Sequence, residues 1–292
     1  MFRNYIWPFI ILSMLATCDA LQQGRPSGLG IEPFSAMETV LTPDSYTKVQ
    51  HSSTKIMIAT GIHSHKKTTE VIDLEDSNVV CEDLEDFPME TQAAVGANLV
   101  STPIICGGYF GGPGSVHSSD KCFKYTEEGW QHFATMIERR DYAKGIVYNE
   151  AFHMFGGYDF DTGTKLQSSE IVKEDGSSTE GPQLPTPIMY HAIASINSTV
   201  SIITGGLTNT TSDKSWYFNH ASQEFQPGPN LLEARKGHSS GSVIDQETKE
   251  KIIIVAGGYI DSSSSTEMLL NGKWVKGNTY TRSKIYPFFV YL

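Results

Sequence analysis

Few residues in this chain have types and spacings suited to chemistry. Gly237-His238-Ser239-Ser240-Gly241 fits G-x-S-x-G, the sharp turn that exposes a nucleophilic serine where a strand runs into a helix. Here another strand pattern follows, so the motif reads as the start of a strand. Asp159-Phe160-Asp161-Thr162-Gly163 with Glu170 imitates the first, third and twelfth ligands of an EF-hand loop. Gly163 at the fifth position and Thr164 at the sixth remove a ligand and the turn glycine, which leaves a hairpin turn as the simpler reading. His63 and His65 would share one face of a strand, as a metal site could use, but no third ligand is close in sequence, and solvated loop histidines fit better. Gly107 to Gly114 is glycine-rich without the G-K-[ST] of a phosphate cradle. No metal ion, cofactor or catalytic set is expected from these patterns.

Covalent chemistry is better supported. Cys106 ends one predicted strand and Cys122 opens the next, so a hairpin would set them side by side as a disulfide, with Cys81 the spare thiol. Asn197-Ser198-Thr199 and Asn209-Thr210-Thr211 are glycosylation sequons, both in predicted turns.

The elements that carry these residues form a repeat. Lys251 to Ile260, K-I-I-I-V-A-G-G-Y-I, is echoed at 55–62, 103–110, 151–159 and 200–207. Between Gly61, Gly108, Gly157, Gly206 and Gly258 the steps are 47, 49, 49 and 52 residues. The other glycines of the pairs are Gly107, Gly156, Gly205 and Gly257. A period near 50 is read before any single motif. Each echo is an apolar, β-branched run stopped by glycine, which suits a strand buried on both faces.

Downstream of each echo lies a third strand, at 68–74, 120–125, 168–172, 213–218 and 265–270, and a fourth is expected to end near Trp130 or Trp274. Before each later glycine pair comes one more strand, as in 92–100, 142–148 and 191–196. Four short strands per unit and no long amphipathic stretch predict an all-β chain. The third strands alternate: Glu70, Glu170 and Glu267 mark units one, three and five, whereas Asp120-Lys121 and Asp213-Lys214 mark units two and four.

At this point the sequence resembles the kelch-repeat family, in the manner of a secreted invertebrate-type member, with Gly107, Gly108, Tyr125 and Trp130 the best match to its diglycine and downstream aromatics. The resemblance covers about residues 55 to 275 and departs at Thr60-Gly61, where the diglycine is broken, and in units one and three, which lack the tryptophan. It implies a β-propeller of four-stranded blades. Five units are visible, and the paired alternation suggests a six-bladed ring missing its last blade, with a five-bladed ring as the rival. In a propeller His191 and His238 would open inner strands, either facing the channel or bonding to neighbouring backbone.

Residues 1–20 read as a secretory signal, with Arg3, an apolar run from Ile6 to Ala16 and a small-residue site at Cys18-Asp19-Ala20. Residues 21–50 read as a partly disordered leader that could hold a first inner strand, 51–280 as the propeller, and 281–292 as an apolar tail or the start of a missing blade. The net charge of −11, with acids concentrated from Asp73 to Glu90, argues against nucleic acid and anionic membrane as partners. The expectation is a secreted, non-enzymatic scaffold that recognises an extracellular protein or glycan through loop aromatics Tyr109, Phe110, Tyr158 and Phe160. The competing class is a propeller enzyme related to secreted copper oxidases or glycan-acting propellers.

Overall fold

Each glycine-terminated run becomes the second strand of a four-stranded sheet. The structure, a computed structural model, describes residues 10–12, 55–60, 67–73, 81–112, 114–245, 250–258 and 265–277. The second sheet has the order β5 (Val95–Leu99), β6 (Thr102–Cys106), β9 (Lys121–Thr126), β10 (Gly129–Thr135). The third runs β11 (Lys144–Tyr148), β12 (Ala151–Phe155), β15 (Ser169–Lys173), β16 (Ser178–Glu180). The fourth is β17 (Ala192–Ser195), β18 (Val200–Thr204), β19 (Ser215–Asn219), β20 (Glu224–Pro227), and the fifth β21 (Ser239–Ile244), β22 (Lys251–Ala256), β23 (Thr266–Leu270), β24 (Lys273–Lys276). All pairs in these four sheets are antiparallel. The hairpins β7 (Tyr109–Gly112) with β8 (Ser115–Ser118), and β13 (Tyr158–Asp159) with β14 (Thr164–Lys165), project from the glycine ends of units two and three.

The first sheet differs. Its strands β2 (Lys55–Ala59), β3 (Thr69–Asp73) and β4 (Cys81–Asp83) are antiparallel, but β1 (Ile10–Leu12) pairs with β2 in parallel, Ile10 opposite Ile56. Ile10–Leu12, from within the apolar run of the expected signal, thus pair with the inner edge of β2, where the sequence suggested that the 37–50 region could hold a strand. The cleavage site, the leader, Gly61, His63, His65 and residues 281–292 lie outside the described residues, as does the side chain of Cys81.

Sheets pack face to face, and each core belongs to a seam between consecutive units. Met57, Ala59 and Val71 meet Phe87, Ala94, Ile105 and Trp130; Val95, Ile104 and Cys106 meet Ala143, Phe152, Met154 and Val172. Phe155 meets Ile203 and Phe218, and Ala194 and Ile202 meet Ile253, Val255 and Trp274. Burial of β6, β12 and β18 on both faces follows, since each is covered by a neighbour on either side. Among the described residues the fifth sheet makes no extensive contact with the first, so a closed ring is not shown.

One expectation needs correction. The fourth strands do not end near Trp130 and Trp274; β10 and β24 begin there. The indoles sit at the start because each reaches across a seam, Trp130 Nε1 donating to Thr69 Oγ1 at 2.9 Å and Trp274 Nε1 to the Pro229 carbonyl at 3.0 Å.

The alternation of third strands has a structural cause. Glu170 and Glu267 are buried and pair with Arg140 at 3.0 Å and Arg235 at 2.7 Å, residues of the linkers that enter the same units. In units two and four the corresponding linker positions are Thr91 and Ile188, and the third strands carry Phe123 and Trp216 in place of the acid.

Candidate functional site

The glycine end of the molecule is built from two kinds of loop. Linkers between units turn a left-handed corner at Ala93, Tyr142, Tyr190 and Gly237, with φ of 58°, 50°, 58° and 63°. These corners are hydrogen-bonded in series: Tyr142 N donates to Ala93 O, Tyr190 N to Tyr142 O, and Gly237 N to Tyr190 O. The result is an arc of backbone that ties units two to five together around their inner strands. The glycine pairs lie just outside it. A Cβ on Gly107 (φ +67°) would stand 2.2 Å from the Arg140 carbonyl, so no side chain fits where the next linker crosses. Gly108, Gly156, Gly157, Gly205, Gly206, Gly257 and Gly258 share the left-handed conformation, and in unit one Thr60 adopts it without being glycine (φ 60°).

On this arc the aromatic loops converge. Tyr109 packs on Tyr142 with ring centroids 5.7 Å apart and on Phe160 at 5.1 Å; Tyr158 meets Phe160 edge-on at 5.0 Å. Tyr142 stacks on Tyr190 at 4.1 Å, and Phe110 lies 5.8 Å from His117. Tyr109 Oη donates to Gln92 Oε1 at 3.0 Å. Burial, reinforced by hydrogen bonds with the Tyr109 and Tyr190 phenols, pushes the Tyr142 hydroxyl well above its usual range, so it stays a neutral donor and acceptor. Phe160 remains 37% exposed at the tip. Of the four loop aromatics expected from sequence, Tyr109, Tyr158 and Phe160 are brought together between units two and three, whereas Phe110 contacts His117 in its own hairpin; Tyr142 and Tyr190 extend the cluster to unit four.

A polar frame fixes these loops. Asp161 accepts from His117 Nδ1 at 2.6 Å and from the Ser118 backbone at 3.0 Å, with Arg139 at 3.3 Å; its pKa is lowered, first by the His117 hydrogen bond. Ser118 Oγ donates to the buried Asp141 carboxylate and accepts from Phe160 N. Burial pushes Asp141 up to about 7, against the Ser118 hydrogen bond and with help from Asp159 and Asp161. The Asp159 carboxylate caps its own turn, accepting from Asp161 N and Thr162 Oγ1, so the EF-hand imitation is the hairpin β13–β14. Gly237-His238-Ser239 likewise runs into β21, with no helix.

Inside the arc, His238 Nε2 is 2.9 Å from Thr204 Oγ1 of the preceding unit, whereas neither ring nitrogen of fully buried His191 has a partner. Of the two readings the sequence left open, His238 is half satisfied by a side chain rather than by backbone, and His191 is not satisfied by protein at all. The opposite end holds two grooves, of about 470 Å³ beside Tyr217 and Lys251 and about 690 Å³ beside Tyr148, His153 and His220. Cys106 and Cys122 form a disulfide across β6 and β9. Asn197 stands exposed at the groove end and Asn209 exposed at the aromatic end.

Sequence reading missed Tyr142, Tyr190, Lys144 and the buried arginines. Their signal was a second periodicity: the corner residues recur at steps of 49, 48 and 47, but in changing residue types.

This architecture defines an all-β protein of propeller type. A solved structure entitled "Structure of YjhT" superposes with a TM-score of 0.67, covering 78% of this chain and 82% of that one at 12% identity, a likeness of fold alone. No sequence family matches the chain, and no curated protein matches it.

Proposed function

We propose that this protein is a secreted, kelch-type recognition module that binds an extracellular protein or glycan with the rim formed by Tyr109, Phe110, Tyr142, Tyr158, Phe160 and Tyr190. One observation carries the reading: loops from three units deliver aromatic rings to one end, interlocked yet partly exposed. Rings held this way offer large contact area at little entropic cost, and their hydroxyls and the neighbouring carboxylates supply directional contacts. The Cys106–Cys122 disulfide and the exposed Asn197 and Asn209 sequons fit an oxidising, glycosylating route. Among the described residues no helix is long and apolar enough to cross a membrane. The test is a screen of immobilised extracellular glycans and proteins with the wild-type chain and the Phe160→Ala and Tyr109→Ala variants. Rim-dependent capture supports the reading; capture indifferent to both variants refutes it.

A propeller enzyme has one observation in its favour. Tyr190, His191 and His238 lie together near the inner strands, a combination that a copper oxidase could use. Stoichiometric copper in the purified protein, with oxidation of an alcohol or sugar, would establish that reading instead.

A further inference from the structure

Beneath the aromatic rim lies a group of basic side chains that make no ion pair among the described residues. Lys144 opens β11, His191 immediately precedes β17 and His238 immediately precedes β21, so three consecutive units each send one to the inner-strand layer. The imidazoles are lodged over the glycine pairs of the preceding units. A Cβ on Gly156 would come within 3.4 Å of His191 Cε1, and one on Gly205 within 2.6 Å of His238 Cε1. Both nitrogens of His191 and Nδ1 of His238 are buried without a hydrogen-bond partner, although the two residues are 0% and 2% exposed. A buried polar atom left unpaired costs about 1–3 kcal/mol, so each ring calls for a partner, and a neutral imidazole can offer one N–H to an acceptor.

The electrostatics say which sign that something carries. The Lys144 side chain makes no ion pair or hydrogen bond among the described residues, and its charge acts on both His191 and His238. Arg235 acts on His238 as well. Arg235 is already held by Glu267 and Glu233. Of the acids at this end, Asp161 is held by His117 and Arg139, and Asp141 accepts from Ser118 through Oδ2 while its Oδ1 is buried without a partner. In a chain of net charge −11, a half-buried lysine without an ion pair beside two buried imidazoles is an inversion of the prevailing charge. Burial lowers Lys144, holds His191 down to about 3 and His238 well below its usual value, so the imidazoles are neutral N–H donors rather than competing cations. Neutral imidazoles alone would also suit a metal ion, but the Lys144 charge beside them opposes a cation and favours an anion.

We propose that Lys144, His191 and His238 form an oxyanion-binding site at the inner end of the aromatic rim, taking a carboxylate, sulfate or phosphate group either as a free ion or as the acidic group of a larger ligand seated on the tyrosines. It deepens the reading of this end as the binding face, but ion binding is measurable without the natural ligand.

The experiment titrates the full chain with sulfate, phosphate and acetate against chloride at matched ionic strength, following thermal unfolding and the imidazole ¹H–¹⁵N resonances. A saturable rise in midpoint with shifts at His191 and His238 is expected. Lys144→Met should weaken the response at least about tenfold, the loss of one charge-assisted hydrogen bond, and Lys144→Arg should retain it. Should Lys144→Met fail to fold, the wild-type His191 resonances decide. A response equal to that in chloride, as ordered water alone would give, overturns the site. So does a response unchanged in Lys144→Met, or copper or zinc bound stoichiometrically at these imidazoles. Phe160→Ala should leave the ion response intact. Loss of macromolecular capture in that variant therefore tests the rim separately, and a larger affinity for a ring-bearing carboxylate than for acetate would mark the group as part of a larger ligand.

Discussion

Removing one acid from a buried pair should be among the costliest single changes in this protein. The Glu267 carboxylate accepts from Arg235 Nη2 at 2.7 Å, from Leu232 N at 2.6 Å and from Glu233 N at 3.2 Å, and both charged side chains are at most 2% exposed. Glu267→Ala leaves Arg235 buried without its partner, a change that typically costs about 3–5 kcal/mol. Glu233, 3.6 Å from Arg235 and 41% exposed, offers partial compensation, which puts the expectation near the lower bound, about 3 kcal/mol. In a chain of this size that corresponds to a fall of roughly 6–12 °C in Tm. Urea and thermal unfolding measure both. In a double-mutant cycle with Arg235→Met and Glu267→Gln, in which glutamine can still accept from the two backbone amides, a coupling above about 1 kcal/mol is expected. Unit three provides an internal replicate, because Glu170 holds Arg140 at 3.0 Å and Ile137 N at 2.6 Å, with Glu138 3.6 Å away. A cost under about 1 kcal/mol at either acid, or no coupling in the cycle, would refute the argument that these pairs anchor the linkers.

Three further outcomes follow from the same geometry. The Cys106–Cys122 bridge closes a loop of sequence separation 16, so the Cys106→Ala, Cys122→Ala double variant should lose about 2–4 kcal/mol in urea titration, and equal stability with or without reductant would count against the bridge. Gly107→Ala, with its Cβ 2.2 Å from a carbonyl, should cost more than about 2 kcal/mol in Tm-derived stability, whereas Gly163→Ala, with only Tyr158 Oη at 3.8 Å, should cost about 1 kcal/mol; equal costs would remove the packing argument. Asp141 binds its proton more tightly folded, up to about 7, than unfolded, near 3.8, so its contribution is present at the acid end and lost as pH rises between those values. His153 and His220, both held near 4 chiefly by burial, act oppositely, losing stability as pH falls from 6.5 toward 4. Hence the stability of Asp141→Asn relative to wild type should improve steadily from pH 4 to 7, and a constant difference across that range would contradict the assignment.

Much of the architecture was legible because its signal is periodic. Glycine ends a strand where the next linker passes too close for a Cβ, a constraint that recurs at Gly107, Gly156 and Gly205, and the runs before these and before Gly257 all emerged as second strands. The disulfide was legible for the same reason: Cys106 and Cys122 are direct partners in the β6–β9 register. The aromatic end was only half visible. Tyr109, Phe110, Tyr158 and Phe160 follow the glycines and could be named, but Tyr142 and Tyr190 occupy corners whose backbone geometry, not residue type, is what repeats. Ala93 and Gly237 fill the same position, which erases the pattern in sequence. The basic group was hidden for a further reason. Lys144, His191 and His238 come from different units at two different register positions, and only the folded structure shows that they make no ion pair. The tryptophans misled because Glu127-Glu128 and Asn271-Gly272, just before them, are the tight turns between third and fourth strands, so Trp130 and Trp274 open their strands, where they span a seam.

The central claim is that the aromatic end is the recognition face. Its most direct test is binding of an extracellular glycan and protein panel by the wild-type chain, by Phe160→Ala at the rim, and by Lys173→Ala beside the groove at the opposite end. Capture lost in Phe160→Ala and kept in Lys173→Ala is the predicted result. Capture kept in Phe160→Ala and lost in Lys173→Ala would contradict the account and move the site to the grooves.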